Sequence, residues 1–458
     1  MNKDGKPIYT YGGDYGRYPA SDNNFNCNGL INPDRQLNPH AYEVAYYYQN
    51  IWTSPVNLNV GTIRVYNENF FRALDYVALE WEVLADGKRI LNGQVDKVIA
   101  LPQTTTTMTI GYELPKDAKG ELLLNVYYVL KHDEPLMKKG DRVAYQQFVI
   151  RPYDFTSAPT AAKAEDFKVE NARDWLTLQA GNTSVTFGKR SGWVEYLDVN
   201  GRPMLEKGYS LRPQFWRAPT DNDMGARMHQ QLRAWLNPRM DKKSFNYEFK
   251  DGAYVVTAVY DMPTVEAKLT MTYTLSGEGE LTVNEKMEVN PEAKNKPQMF
   301  CYGMQLVMPE RFGTLEYYGR GPWENYIDRK DGSILGRYRS SARAEYWGYI
   351  RPQESGNHTD VRWWSLYDNK SGAGLNFRGA EPMECSALNY LPEDLDDGWD
   401  KHQRHSGDLT PRPFTVVRLC SRQMGLGGVH SWGTWPLNAY QMPYENREFT
   451  FVIYPRAK

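Results

Sequence analysis

Short segments that alternate apolar and polar residues recur through most of the chain and restrict it to a fold built from β-strands. In AKLTMTYTL the alternation is strict from Ala267 to Leu275. It places Leu269, Met271 and Tyr273 on one face of a sheet and the intervening threonines on the other. Other runs that alternate, or are apolar over a short stretch, are TIRVYNEN, VALEWEVLADGKRILNGQ, LLLNVYYVL, RVAYQQFVI, WLTLQAGNTSVTFG, AYVVTAVYD and EFTFVIYP. Together these runs predict a mainly β fold.

The strand-like runs form two blocks with a polar segment between them. The first block begins near residue 57, includes Asp86-Gly87 as a hairpin turn, and predicts a sandwich of about 100 residues. The segment DFTSAPTAAKAED, residues 154–166, is polar and contains proline, which is typical of a linker. The second block has about 290 residues, enough for two large sheets with long loops. The 458 residues leave room for roughly three domains.

Two segments have the residue spacing of helices. HAYEVAYYYQNI, residues 40–51, follows Pro39 and has apolar residues suited to one surface. A helix of this length does not fold alone, so we expect residues 1–52 to be the end of a domain whose body lies upstream of this chain. RMHQQLRAWLN is the second predicted helix.

Charge and composition exclude several classes of partner. Lysine and arginine number 54 against 56 aspartate and glutamate, so we predict binding to neither nucleic acid nor an anionic membrane. No stretch approaches the roughly 20 apolar residues of a membrane span, and the first residues lack the pattern of a signal peptide. The four cysteines have no CxxC spacing and are interpreted as free thiols. We expect a soluble chain, with bacterial cytoplasm and periplasm both open.

Aromatic and hydrogen-bonding side chains concentrate in YYGRGPWENYIDR, residues 317–329. The run has neither strand alternation nor a helical repeat, and Gly319, Gly321 and Pro322 predict an irregular loop. Rings beside polar groups suit a sugar, whose apolar C–H faces are bordered by hydroxyls. The same residues also suit a rigid, hydrogen-bonded corner between strands, which is the simpler interpretation.

Glycoside hydrolysis generally uses two carboxylates that flank the scissile bond. The candidates in this sequence are Glu324 with Asp328, Asp221 with Asp223, and Glu354. Sequence spacing does not establish such a pair, since most acidic residues are solvated surface groups. Asp394, Asp396 and Asp397 in PEDLDDGWD are predicted to form an exposed acidic loop.

The histidines offer two further candidates. His402 and His405 in HQRH would suit a metal on a helix, but the proline and glycine around them argue against a helix, and we predict no metal there. His358 lies near Glu354 in PQESGNHTD, a pairing that suits either acid–base chemistry on a sugar or a structural hydrogen bond. The sequence contains no G-x-S-x-G and no dinucleotide fingerprint.

Five longer motifs follow one another along the chain: GGDYGRYPASDNNFNCNGLINPDR (12–35), RPQFWRAPTDND (212–223), YGRGPWENYIDR (318–329), YIRPQESGNHTDVRWW (349–364) and QMGLGGVHSWG (423–433). In this order they resemble the C-terminal half of the long, five-domain β-galactosidases of glycoside hydrolase family 2. The resemblance implies that residues 1–52 end a TIM-barrel catalytic domain. It implies an immunoglobulin-like sandwich, the fourth domain, over residues 53–157. Residues 158–458 would form the fifth domain, a large β-supersandwich of the β-galactosidase small-chain type that resembles galactose mutarotase.

The resemblance also implies an activity, the hydrolysis of terminal non-reducing β-D-galactosides with retention of configuration. Both catalytic glutamates of that family lie in the barrel, upstream of this chain, so none is expected here. We expect this chain to shape the mouth of the active site, to stabilise the enzyme and to be inactive alone. The expected partners are a β-galactoside or galactose, the N-terminal domains of the same enzyme, and further copies in a homo-oligomer.

Three residues carry the implied substrate and cation contacts. DNNFNCNGL resembles a barrel loop in which a phenylalanine carbonyl and an asparagine side chain help to hold a monovalent cation; here these are Phe25 and Asn28, with the Phe25 ring near the sugar. FRGAEPME, residues 377–384, lacks the tryptophan that forms a platform for the aglycone in a member of the family, and Trp399 is the candidate to replace it. Na⁺ or K⁺ and a divalent cation, Mg²⁺ or Ca²⁺, are expected in the complete enzyme and none bound firmly by this chain alone.

Two other functions stay open at this stage. The aromatic loops would suit a carbohydrate-binding module without catalysis. A mutarotase-like aldose epimerase would use Glu354 and His358.

Overall fold

The computed structural model describes residues 1–16, 25–156, 163–430 and 433–456. Strands dominate the regular structure of these residues, which confirms the mainly β prediction. The α-helices are short: α1 (Pro39–Tyr47), α2 (Asp221–Gly225), α3 (Met228–Gln231) and α4 (Pro392–Leu395). Short 3-10 helices span Leu58–Val60, Leu74–Tyr76, Ala164–Asp166, Arg233–Trp235, Ser406–Asp408 and Asn438–Tyr440. No helix among the described residues has the length and apolar character needed to cross a membrane.

The strands are β1 (Ile51–Asn57), β2 (Thr62–Asn67), β3 (Val77–Ala85), β4 (Lys88–Val95), β5 (Thr105–Thr109), β6 (Leu122–Leu130), β7 (Arg142–Arg151), β8 (Phe167–Asn171), β9 (Trp175–Ala180), β10 (Thr183–Gly188), β11 (Val194–Val199), β12 (Arg202–Pro203), β13 (Arg212–Gln214), β14 (Asp241–Lys250), β15 (Ala253–Met262), β16 (Ala267–Ser276), β17 (Leu281–Val289), β18 (Cys301–Pro309), β19 (Thr314–Gly321), β20 (Ile334–Ser341), β21 (His358–Tyr367), β22 (Gly374–Leu388), β23 (Phe414–Gln423) and β24 (Arg447–Pro455).

The first seven strands form a sandwich of two antiparallel sheets, in the orders β1-β2-β5 and β4-β3-β6-β7. Strand β6 is buried along its whole length because both of its faces are covered. Leu124 and Val126 pack in the core of the sandwich. Leu123 points to the other face and packs with Tyr318 and Leu335 of the second block. The first sandwich therefore has a direct apolar contact with the larger β unit.

The second block contains a five-stranded sheet, β12-β11-β10-β9-β8, and a twelve-stranded sheet. The large sheet runs β13-β18-β23-β22-β24-β17-β16-β15-β14, and β19, β20 and β21 join it at β22. One hydrophobic core lies between the two sheets, where Phe187 of β10 and Tyr273 of β16 meet with ring centroids 5.2 Å apart. Leu269, Met271 and Tyr273 are fully buried, as the alternation in β16 predicts.

Three predicted segments differ from the structure in detail. The helix expected over residues 40–51 ends at Tyr47, since β1 begins at Ile51. RMHQQLRAWLN is not one helix: α3 gives way to a tighter 3-10 turn, which brings the buried Trp235 indole to the Pro297 carbonyl at 3.0 Å. The loop prediction for residues 317–329 is wrong for residues 317–321, which belong to β19.

The tyrosines of β19 explain that error. Tyr317 and Tyr318 are both buried because β19 is covered on both faces, and a strand of this kind shows no alternation. The domain boundaries stay predictions, and the centre of the predicted linker, residues 157–162, lies outside the described residues. The four cysteines are free thiols, as predicted.

Candidate functional site

A cleft of about 920 Å³ opens where the first fifty residues meet the loops of the larger β unit. The N-terminal segment contributes Phe25, Asn28 and His40 to its lining. The opposite wall contains residues 220–222, 224 and 225, at the end of the RAPTDND motif, and the loop that carries Trp399. The structure thus brings Phe25, Asn28 and Trp399 to one cleft, although their roles in binding stay predictions.

Two aromatic rings border this cleft with much of their surface in solvent. The Phe25 side chain is 50% exposed and that of Trp399 is 55% exposed. Large exposed rings beside hydrogen-bonding groups are well suited to the apolar face of a sugar. The cleft supplies such groups from the amide of Asn28, from Gln353 and from Lys401.

The Trp399 loop is anchored by the broken helix, a role that the sequence did not reveal. Nε2 of His229 lies 3.1 Å from the Trp399 carbonyl oxygen, and the Gln230 amide donates to the same oxygen at 3.4 Å. The Arg233 guanidinium lies 5.7 Å from the Trp399 ring centroid. These contacts come from successive turns, so the break after α3 places three side chains around one loop. A lone histidine in a sequence gives no sign of such a role.

Each oxygen of the predicted cation ligands accepts a hydrogen bond from a described backbone N–H. The Phe25 carbonyl accepts a hydrogen bond from the Gly12 N–H at 2.8 Å. Oδ1 of Asn28 accepts one from the Asn26 N–H at 3.1 Å. Because each of these oxygens has two lone pairs, both can add a cation, and they fit as part of a monovalent-cation shell. Residues 17–24, which precede them in the same motif, lie outside the described residues.

Glu324 and Asp328 hold loops together. The Glu324 carboxylate accepts hydrogen bonds from Arg329 at 2.7 Å and from the Gly356 N–H at 2.6 Å, and further ones from the Ser355 and Tyr349 hydroxyls. Asp328 accepts from the backbone N–H groups of residues 426 and 427, at 3.1 and 2.9 Å. The run 322–329 is therefore the hydrogen-bonded corner that we considered as the alternative to a saccharide site.

The other candidate carboxylates are also paired. Asp221 meets Arg351 at 2.7 Å and Lys401 at 2.9 Å. Burial disfavours its charged form, but Lys401 and Arg351 outweigh burial and lower the pKa of Asp221. Glu354 is buried and forms two hydrogen bonds with Arg418, at 2.8 and 3.2 Å. Asp223 is bound to Arg217 in the same manner. Cationic partners thus occupy these three carboxylates.

The pairing of His358 with Glu354 is wrong. His358 Nε2 lies 2.6 Å from a carboxylate oxygen of Glu345, and its Nδ1 lies 3.0 Å from the Arg320 carbonyl oxygen. Burial opposes protonation of His358, but the Glu345 carboxylate outweighs it and raises the pKa of the imidazole. Between the two predicted partners the chain turns at Gly356, where φ is +77°.

The acidic loop PEDLDDGWD is not an exposed acidic surface. The Asp397 side chain is 2% exposed and bridges Arg351 and Arg404. Asp396 accepts a hydrogen bond from the Trp216 indole at 2.8 Å, and Asp394 pairs with Arg412 at 2.6 Å. The prediction failed because the cationic partners of Asp397 and Asp394 come from other parts of the chain.

In the HQRH motif, His405 has a structural role between two carboxylates. His405 lies between Asp14, at 2.7 Å, and Asp408, at 3.0 Å. The backbone carbonyl of His402 accepts a hydrogen bond from Arg351. In the described part of the chain, no three histidine, cysteine or acidic side chains are grouped so as to hold a metal ion.

Glu384 has a buried carboxyl group that was not among the candidates predicted from the sequence. Glu384 accepts hydrogen bonds from the Gln423 N–H at 3.1 Å and from the Asn357 amide at 3.0 Å. Burial raises the pKa of Glu384 to about 7. Through Gln423 the network reaches Arg418 and then Glu354, which lines the cleft.

The fold and the cleft define a protein of β-sandwich units with an open polar cleft bordered by exposed aromatic rings. Residues 179–453 match the family model of the β-galactosidase small chain, and residues 63–151 match that of β-galactosidase domain 4. Because the first match covers more than half of the chain, the chain belongs to the β-galactosidase small-chain family.

Curated relatives are consistent with this membership. A β-galactosidase of Priestia megaterium is 30% identical over 459 residues, an alignment that covers 99% of this chain and 43% of that protein. A β-galactosidase of Lactobacillus delbrueckii subsp. bulgaricus is 31% identical over 442 residues, or 94% of this chain and 41% of that protein. The chain therefore spans less than half the length of these relatives. Among solved structures, a galactose 1-epimerase of Lactobacillus acidophilus covers 64% of this chain with a TM-score of 0.33 and 9% identity.

Proposed function

We propose that this chain is the C-terminal portion of a five-domain β-galactosidase of glycoside hydrolase family 2, which hydrolyses terminal β-D-galactosides with retention. Its own role is to form one side of the active-site cleft and to stabilise the enzyme. The observation that carries the proposal is the single cleft lined by Phe25, Asn28 and Trp399. Membership of the β-galactosidase small-chain family supports the same role.

The catalytic carboxylates come from the N-terminal domains of the same enzyme. Retaining hydrolysis needs two carboxyl groups about 5–5.5 Å apart, one of them free to act as nucleophile. The candidates near the cleft do not suit this task, since Asp221 and Glu354 are held by cations and Asp328 by backbone N–H groups. Alone, the chain is inactive.

The sugar contacts of this chain come from the Phe25 and Trp399 rings and the Asn28 amide. Trp399 takes the place of the aglycone platform that is missing from residues 377–384. Those residues lie inside strand β22 and form no loop at the cleft.

Na⁺ or K⁺ binds at the cleft through the Phe25 carbonyl and the Asn28 side chain, and its other ligands come from the N-terminal domains. When bound, the ion supplies a fixed positive charge that orients sugar hydroxyls. The divalent cation of the complete enzyme, Mg²⁺ or Ca²⁺, is held outside this chain.

The N-terminal segment carries the surface that meets the other domains. Large side chains on it are exposed, among them Ile31 at 49%, Tyr47 at 53% and Tyr48 at 80%. Apolar surface of this kind marks a contact with another part of a protein. Further copies of the complete enzyme form a homo-oligomer.

A carbohydrate-binding module without catalysis is the second candidate, favoured by the exposure of Phe25 and Trp399. An epimerase that uses Glu354 and His358 has no such support, since these side chains are buried in separate pairs with Arg418 and Glu345.

The experiment is a chimera in which this chain replaces the aligned region of the Priestia megaterium β-galactosidase. Hydrolysis of a chromogenic β-galactoside is measured for the chimera, for this chain alone and for the N-terminal portion of the relative alone. We expect activity in the chimera only. Turnover by this chain alone would overturn the division of roles. An inactive chimera together with saturable galactoside binding by this chain would favour the binding module.

A further inference from the structure

A second groove, of about 570 Å³, lies on the larger β unit and shares no lining residue with the cleft. Its walls are the hairpin end between β10 and β11, strand β13, residues 236–238 and 240, and the beginning of β14. Its volume is within the range of sites that hold small molecules. Nothing in the proposed β-galactosidase role uses this groove.

One wall of the groove is a rigid aromatic pair. Trp193 stacks on Tyr260 with ring centroids 4.3 Å apart and an interplanar angle of 12°. The Tyr260 hydroxyl donates to the Ser191 carbonyl at 2.7 Å, which ties the hairpin end to the ring below it. Gly192, with φ of +80°, allows this closeness, since a Cβ there would lie 2.1 Å from the Tyr260 hydroxyl oxygen.

This packing leaves part of Trp193 for a ligand. Tyr260 covers one face of the indole, and both rings line the groove. The Trp193 side chain is only partly buried, and its indole N–H forms no hydrogen bond to a described residue. An indole ring fixed by stacking, with an N–H that has no partner among the described residues, is suited to the C–H face and hydroxyls of a saccharide.

The polar lining of the groove has an excess of positive charge. Arg190, Arg212 and Lys242 face two carboxylates, those of Asp241 and Glu393. Asp241 is already bound by Arg239 at 2.8 Å, which lies outside the lining.

The three lining cations keep most of their capacity for a ligand. Arg212 approaches Glu393 only to 4.0 Å, and Arg190 is 88% exposed with Asp174 at 3.8 Å. Lys242 forms no ion pair within the described residues, and its ammonium lies 5.9 Å from the Phe245 ring. Guanidinium groups bind carboxylate or sulfate oxygens with paired hydrogen bonds.

We infer that this groove binds a mono- or disaccharide that carries an acidic group, with its sugar ring against Trp193 and its carboxylate or sulfate against Arg212 and Lys242. The site is independent of the β-galactosidase cleft.

The test is calorimetric titration of the chain with three probes: digalacturonic acid, a 6-sulfated galactobiose and neutral galactobiose. We expect saturable binding of at least one acidic probe, and the tighter of the two identifies the acidic group. Arg212→Ala combined with Lys242→Ala should weaken that binding about tenfold or more. These side chains are at the surface, so their loss leaves the fold intact.

Two matched variants distinguish binding at this groove from binding elsewhere on the chain. Lys243→Ala removes a neighbouring exposed lysine that does not line the groove, and Trp399→Ala removes the ring at the cleft. Both should bind the acidic probe as the unmodified chain does. The inference is overturned by the absence of saturable binding up to about 10 mM probe. Loss of binding in Trp399→Ala, or neutral galactobiose binding as tightly as the acidic probes, overturns it as well.

Discussion

Arg217 and Asp223 form a bidentate ion pair in which both side chains are buried. Nη1 of Arg217 lies 2.6 Å from Oδ2 of Asp223, and Nη2 lies 3.2 Å from Oδ1. The same carboxylate accepts the Thr220 N–H at 2.8 Å, at the beginning of α2. The pair therefore fixes the RAPTDND turn, one wall of the cleft. The Asp223 carboxylate has a structural role, because both of its oxygens already accept hydrogen bonds.

Asp223→Ala should destabilise the larger β unit by about 3–5 kcal/mol, because it leaves the Arg217 guanidinium buried without its carboxylate. The measurement is the midpoint of urea unfolding followed by tryptophan fluorescence. Lys243→Ala is the control, since it breaks an exposed pair with Asp261 and should change stability by less than about 1 kcal/mol. Equal midpoints for the two variants would contradict the structural role of the buried pair.

Alternation was sufficient to predict β16, and a nearly continuous apolar run was sufficient to predict β6, but the mixed composition of β19 did not identify it as a strand. The alternation of β16 places Leu269 and Tyr273 in the core correctly. Strand β19 has buried tyrosines at successive positions, 317 and 318, and its sequence looks like a loop. Whether a strand has a second neighbour above it depends on the whole topology, which no short segment contains.

The residues of the candidate site were predicted from the resemblance of longer motifs to a known family. Residue type and spacing alone did not predict that they lie together. Phe25 and Trp399 are far apart in the sequence and line the same cleft only in the folded protein. Sequence spacing gave the wrong partner for His358. Its side chain bonds to Glu345 and not to Glu354, which is nearer in the sequence. Paired charges in a core are chosen by three-dimensional proximity, so their partners are invisible in a linear sequence.

Trp399→Ala in the chimera should raise the KM for β-galactosides by up to about tenfold with a smaller change in kcat, because stacking on an aromatic ring contributes about 0.5–1.5 kcal/mol. Steady-state kinetics with lactose and with a chromogenic galactoside measure the effect. Trp175→Ala is the matched control: this tryptophan is 41% exposed on β9 and does not line the cleft. A KM that changes equally in both variants would rule out a contact between Trp399 and substrate.

Asn28→Ala should raise the Na⁺ or K⁺ concentration for half-maximal activity of the chimera by about tenfold, because one oxygen ligand is lost. Asn28→Asp keeps an oxygen at the same position and should retain most of the response. Activity is measured against NaCl or KCl, with choline chloride holding the ionic strength constant. If alanine and aspartate variants respond to the cations as the unmodified chimera does, Asn28 is not a cation ligand.

The buried carboxyl of Glu384 should make stability fall as pH rises from about 4.5 to about 7. Burial raises its pKa from 4.5 to about 7 in the folded chain. Below pH 4.5 both folded and unfolded chains hold the proton, so the stabilisation is fully present. Between the two values only the folded chain holds it, and the free energy of unfolding decreases by about 3 kcal/mol in all. Above pH 7 the effect of this group levels off.

Glu384→Gln isolates this contribution from the other titrating groups. The glutamine side chain cannot ionise, so the unfolding free energy of the unmodified chain minus that of the variant should fall by about 3 kcal/mol from pH 4.5 to 7. Urea midpoints at half-unit pH steps give this difference. Glu288→Gln, at an exposed position of β17, is the control and should leave the pH dependence unchanged. A difference that stays constant across this range would mean that Glu384 is already ionised in the folded protein, where the Asn357 amide and the Gln423 N–H donate to its carboxylate.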